Sequence, residues 1–287
     1  MTPSQRFAIT SNAMRAWQSD VYATSGRPVS FSMPPSCPGD GHRAVCIGPP
    51  SVAGVRHRIA EHGIHRSRDR SSTMRIGILG TGSMAATLGG AWARAGHQVL
   101  VGGRDRAAAA AAAGVVGAAG HGGLADAAAY GDVVLAAVPA DAAPELTKHL
   151  AETLAGRTVI DCTNPVAPTD EGLMLTTGGM SSVARRMADA APGAHVVKAF
   201  NLCHESIWTL PRPEFEDAAL AVPYCADDAG AREQVAALIT SMGCTPLPCG
   251  GLARAAYLEA TAAFAIGAWW SGAQARFAFP TPGQAGV

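Results

Sequence analysis

From residue 74 onward, short apolar runs alternate with amphipathic stretches, the pattern of strand–helix–strand units. Residues 76–79 (IGIL) read as a buried parallel strand. A helix over 85–95 that stops at Gly96 and a second strand over 98–101 follow it. An alanine-rich helix over 107–113 is expected to stop at Gly114. Further strands are predicted over 132–137 (DVVLAA), 158–162 (TVIDC) and 195–199 (HVVKA), with a helix capped by Ser181 or Ser182 running to Ala190. Pro139 ends the third strand, and Pro144 suits the first turn of the helix after it. A sixth strand over 219–225, interrupted by Pro223, is expected near a sheet edge. Asp227 is expected to cap a helix over 229–242. Residues 252–270 form a strongly apolar helix whose charges are Arg254 and Glu259. The succession predicts a doubly wound α/β fold with a mainly parallel sheet and a small C-terminal α/β extension.

The first strand runs directly into Gly80-Thr81-Gly82-Ser83-Met84-Ala85, a G-x-G-x-x-A turn between strand and helix. In that context each residue has a role in holding a dinucleotide, which makes the fold Rossmann-type. Gly80 permits the tight turn, Gly82 leaves room for a pyrophosphate, and small Ala85 lets helix and strand pack closely. The free N–H groups of the helix start face the phosphates. After the second strand come Gly102-Gly103-Arg104-Asp105-Arg106. NAD-selective folds end this strand in an acid that binds the ribose. Here glycines leave space and Arg104 follows, which suits a 2′-phosphate gripped by a guanidinium, with Thr81 adding a hydroxyl. Asp105 is the counter-argument, since a nearby acid can serve an NAD ribose. Asn164, in the Thr163-Asn164-Pro165 turn, reads either as a hydrogen-bonding partner for a carboxamide or ribose or as a simple turn initiator.

Composition changes this picture mainly at the N-terminus. The chain has 287 residues, of which 48% are hydrophobic and 15% charged, a globular composition. Residues 1–73 carry nine arginines, no lysine and four acids, with abundant Ser, Pro and Gly and no sustained period. They are expected to be a disordered or non-native leader, with Met74 as the natural start. The remainder has a net charge of −5, which argues against nucleic acid as a partner. No apolar run reaches the roughly 18–20 residues of a membrane span. Cys244 and Cys249 lack a second His or Cys pair to complete a zinc site, so no metal is expected. The cysteines read as buried free thiols in a reducing cytoplasm.

Taken together, GILGTGSMAATLGGAWARAGHQVLVGGR, DVVLAAVP, VIDCTNP and VVKAFN resemble the F420-dependent NADP oxidoreductase family, which includes the NADPH-binding domain of the six-transmembrane metalloreductases. The similarity continues through Cys225-Ala226-Asp227-Asp228 and Gly250-Gly251-Leu252-Ala253-Arg254-Ala255. It implies an NADP-binding Rossmann domain over 74–200 and a substrate-pocket and dimerisation extension over 201–287. It implies Gly80, Thr81, Gly82, Ser83 and Met84 at the pyrophosphate and Gly103 and Arg104 at the 2′-phosphate. Val138, Pro139 and Asn164 would border the nicotinamide ribose, and Ala199, Phe200 and Asn201 would flank the nicotinamide ring. The family's strongest NADP signature has Ser or Asn where this chain has Gly103, and Asp105 replaces a commonly basic or neutral residue.

The resemblance further implies an oxidoreductase that moves hydride between NADPH and a planar small-molecule acceptor, coenzyme F420 first, as a cytoplasmic homodimer. Transfer between two stacked rings relies on positioning and requires no protein acid. The alternatives are an NADPH-dependent reductase of a flavin or of a carbonyl or imine metabolite, and a non-catalytic NADPH-sensing module. In the reductase case His204, on the loop after the fifth strand, is the candidate proton donor.

Overall fold

The computed structural model describes residues 73–179 and 181–278, so the expected leader lies outside the described residues except for Thr73. In chain order the strands are β1 (Arg75–Leu79), β2 (Gln98–Gly102), β3 (Gly120–Gly122), β4 (Val133–Ala136), β5 (Thr158–Asp161), β6 (Val166–Thr169), β7 (Gly172–Leu175), β8 (His195–Ala199), β9 (Glu214–Phe215), β10 (Ala218–Ala219), β11 (Ala221–Ala226) and β12 (Thr245–Pro248). Eight of them form one sheet in the order β12-β11-β8-β5-β4-β1-β2-β3, while β6–β7 and β9–β10 are small separate hairpins. Pairing is parallel from β3 to β8; β11 runs antiparallel to β8, and β12 runs parallel to β11. The strands after residue 200 therefore continue the same sheet.

The helices are α1 (Ser83–Arg94), α2 (Arg106–Val116), α3 (Leu124–Tyr130), α4 (Ala143–His149), α5 (Ala151–Leu154), α6 (Val183–Ala190), α7 (Ala229–Ser241) and α8 (Ala255–Trp270). Strand residues alternate between two cores. Ile76, Ile78, Val133 and Leu135 pack with α1, α2 and α7, whereas Leu79, Val134 and Ala136 pack with α3, α4, α5, α6 and the start of α8. Helices on both faces explain why the central strands are apolar without alternation.

Several expectations are corrected. Gly114 lies inside α2, which runs to Val116 and ends where Gly117 turns left-handed at φ +70°. A single exposed glycine costs an alanine-rich helix only about 1 kcal/mol, too little to end it. Strand β3 (Gly120-His121-Gly122) has no apolar run to announce it. Pro223 does lie near the sheet edge as expected, on the penultimate strand: β8 pairs with β11 only at Tyr224–Ala226, so the proline stands just beyond that ladder. Asp228, not Asp227, caps α7, accepting from the Ala231 amide at 2.7 Å; Asp227 instead accepts from the Leu252 amide at 2.8 Å. Of the two serines offered as a cap, Ser182 caps α6 through the Arg185 amide. The long apolar helix begins as a 3-10 turn, Leu252–Arg254, before α8.

Candidate functional site

The carboxyl ends of adjacent strands β2, β1, β4, β5 and β8 form one edge, and the predicted site residues follow these strands in that spatial order. At β1, Gly80 has φ +129° and its amide donates to the Gly102 carbonyl at 2.9 Å, tying the glycine turn to the end of β2. A β-carbon at Gly80 would stand 2.1 Å from the Ala137 carbonyl oxygen, so the turn presses against the end of β4. A β-carbon at Gly82 would meet nothing within 4 Å, leaving an open cradle. Helix α1 starts there with no side-chain cap and no acid in its first turn. Its first amides are therefore available to an anion, with the helix dipole in favour. Thr81 and Ser83 are exposed beside them, and Met84 is half-buried against the core.

At the end of β2, a β-carbon on Gly103 would come within 2.9 Å of the Thr81 methyl group, so these two residues adjoin. Arg104 is exposed and makes no ion pair or side-chain hydrogen bond among the described residues. Asp105 is engaged as the cap of α2, accepting from the Ala107 amide at 2.8 Å and the Ala108 amide at 3.4 Å. Arg106 lies 3.8 Å from Asp126. Of these three charges, Arg104 is the one with no partner among the described residues.

Further along the edge, Val138 is half-buried and Pro139 exposed just after β4. Asn164 and Asn201 clasp each other: Asn164 Nδ2 donates to the Asn201 carbonyl at 2.8 Å, and Asn201 Nδ2 donates to Asn164 Oδ1 at 3.0 Å and to the Leu258 carbonyl at 3.1 Å. Asn201 is 3% exposed, and its buried Oδ1 has no partner among the described residues. Ala199 is fully buried in β8. Phe200 has φ +64°, and its ring points into the core, edge-on to Trp92 at 5.6 Å and to Trp208 at 5.4 Å. Each such pair contributes about 0.5–1.5 kcal/mol beyond burial. Of the 199–201 trio, then, only Asn201 has a polar side chain to offer.

His204 serves as a cap. Its Nδ1 accepts from the Ser206 amide at 3.3 Å at the start of the 3-10 turn Glu205–Thr209, and its Nε2 lies 3.4 Å from Glu205. Both ring nitrogens have local partners, which gives no geometric support to the proton-donor role.

The sequence reading missed a buried ionic cluster. Lys198, Asp161 and Glu259 have fully buried side chains, with Lys198 Nζ 3.0 Å from Asp161 Oδ2 and 2.9 Å from Glu259 Oε1. Its signal was available as a charge inside each of three apolar runs. Burial pushes the Glu259 carboxyl above its ordinary value, and the Lys198 charge opposes part of that rise. A raised folded value means stability fully present below the unfolded value of about 4.5 and lost as pH climbs through the folded value. The melting temperature of the wild type is therefore expected to fall relative to Glu259→Gln as the pH rises from about 4.5 toward neutrality. Parallel melting curves across that range would disprove the buried-acid assignment.

Residues 75–165 match the model of the family "NADP oxidoreductase coenzyme F420-dependent". That stretch of the chain is similar to the family over β1 to the loop after β5. A metalloreductase, STEAP3 of Rattus norvegicus, is 35% identical over 123 residues, 42% of this chain and 23% of its own length. The F420-dependent NADP reductase of Methanocaldococcus jannaschii is 31% identical over 146 residues, 50% of this chain and 64% of its own length. The matches thus span less than two thirds of either relative. Among solved structures, a candidate F420-dependent NADP reductase from Arthrobacter sp. FB24 superposes with a TM-score of 0.63 at 28% identity, covering 70% of this chain and 96% of the other. No helix among the described residues is long and apolar enough to cross a membrane.

Proposed function

We propose that this chain is an NADP(H)-dependent oxidoreductase passing hydride between NADPH and a planar acceptor, with coenzyme F420 as the first candidate. The observation that carries the reading is the unpartnered Arg104 beside the Thr81–Gly103 contact, with Asp105 turned into a helix cap. That arrangement favours a 2′-phosphate over a bare ribose diol. The uncapped start of α1 and the open space at Gly82 fit a pyrophosphate. The half-buried Asn164, clasped to Asn201 at this edge, fits the carboxamide end. The family match and the relatives named above support the same coenzyme. When bound, NADPH supplies the hydride; the protein's part is to hold both ends of the nucleotide at one sheet edge.

In this reading residues 74–200 bind the nucleotide and 201–287 furnish the acceptor side. Helix α8 leaves large apolar side chains exposed at several points around its circumference, Tyr257, Trp269 and Trp270 among them, which suits contact with a second copy of the chain. Sedimentation of the purified protein checks the dimer, and a monomer at micromolar concentration would remove it.

The deciding assay mixes the protein with NADPH and oxidised F420 in a stopped-flow instrument and follows loss of the deazaflavin absorbance. Rapid bleaching is expected. Absence of NADPH binding in calorimetry would defeat the coenzyme assignment. Binding without turnover on F420, free flavins or a carbonyl and imine panel would replace the enzyme with an NADPH sensor.

A further inference from the structure

Lys198 Nζ has three donors and meets three acceptors: Asp161 Oδ2 at 3.0 Å, the Thr163 carbonyl at 2.5 Å and Glu259 Oε1 at 2.9 Å. These belong to the end of β5, to the loop that follows it and to α8. Each connection continues toward the asparagine pair. Asp161 Oδ1 accepts from the Thr163 amide at 2.8 Å, so residue 163 is held through both its N–H and its C=O. Asn164 comes next and is locked to Asn201. Asn201 Nδ2 in turn reaches the Leu258 carbonyl, one residue before Glu259, and Glu259 Oε1 also accepts from the Val183 amide at 2.9 Å. We propose that Lys198 is a positioning residue for the nicotinamide end of the coenzyme, its ammonium locking the Thr163-Asn164 loop and α8 into one unit that fixes the Asn164–Asn201 pair. The inference rests on the nucleotide-binding reading above.

Stability alone is a poor reason for this cluster. Two carboxylates and one ammonium taken fully out of water are often no more stabilising than apolar side chains of the same volume. An apolar group, however, cannot hold a carbonyl and a carboxylate from different elements at fixed positions. Glu259 Oε2, Thr163 Oγ1 and Asn201 Oδ1 have no partner among the described residues, a concentration of unpaired buried oxygens around the same loop.

Lys198→Met strands two buried carboxylates and threatens the fold, so Glu259 is the position to vary. Two ligands are compared by calorimetry: NADPH, and 2′-phospho-ADP-ribose, which is the same nucleotide without its nicotinamide. Glu259→Leu is expected to bind 2′-phospho-ADP-ribose like the wild type and NADPH about tenfold more weakly, a difference of about 1.4 kcal/mol. Glu259→Gln keeps an oxygen for both Lys198 and the Val183 amide and is expected to restore NADPH binding to within about threefold. Equal loss of both ligands in Glu259→Leu, loss of neither, or failure of Glu259→Gln to rescue overturns the positioning role. Wild-type protein that binds neither ligand overturns the nucleotide reading itself, which is a separate result.

Discussion

Arg104→Ala is expected to lower NADPH affinity by roughly ten- to a hundredfold while changing NADH affinity by less than about twofold. The reasoning rests on how the neighbouring charges are occupied. Asp105 is held by the Ala107 and Ala108 amides, and Arg106 leans toward Asp126 at 3.8 Å. Arg104 has no such partner among the described residues, and it follows directly on Gly103 against Thr81. A 2′-phosphate there gains a charge-assisted, two-pronged contact that a ribose hydroxyl cannot return. Because the guanidinium is exposed, the discrimination should also shrink as salt is added. Calorimetry with both coenzymes at two ionic strengths measures it. Equal losses for NADPH and NADH would mean that the substitution acts on the fold instead of the phosphate, and no loss would strip Arg104 of its role.

Much of this site was legible in the sequence because its chemistry is local. The glycine turn, its flanking strand and helix, and the arginine after β2 lie within one strand–helix–strand unit, where spacing dictates geometry. The central strands were legible for a related reason: covered on both faces, they are written as unbroken apolar runs. What escaped depends on distant partners or on a local exception. Lys198 meets its two acids across 37 and 61 positions, and no periodicity links them. Phe200 turns left-handed at the strand end, which sends its ring between two tryptophans. Asp105 was a different kind of miss. An acid just before an alanine-rich helix is a standard cap signal, and that reading would have given Asp105 Oδ1 its structural role.

The two glycines of the turn are expected to fail in opposite ways, which separates the fold from the binding reading. Gly80→Ala puts a methyl carbon 2.1 Å from the Ala137 carbonyl oxygen at a φ of +129°. Backbone strain and overpacking of that kind each cost about 1–3 kcal/mol. Against a typical total stability of roughly 5–15 kcal/mol, the melting temperature should fall on the order of 10 °C. Gly82 has φ −82°, and a β-carbon there meets nothing within 4 Å, so Gly82→Ala should melt within about 2 °C of the wild type. Its methyl group, however, enters the open space beside the uncapped start of α1, which the proposal above gives to the pyrophosphate. NADPH affinity in Gly82→Ala should therefore drop by about tenfold or more with no loss of fold. Thermal melts and calorimetry on both variants read the two effects independently. Wild-type NADPH binding by Gly82→Ala would remove the pyrophosphate from this cradle, and a wild-type melt for Gly80→Ala would contradict the close approach of β1 and β4.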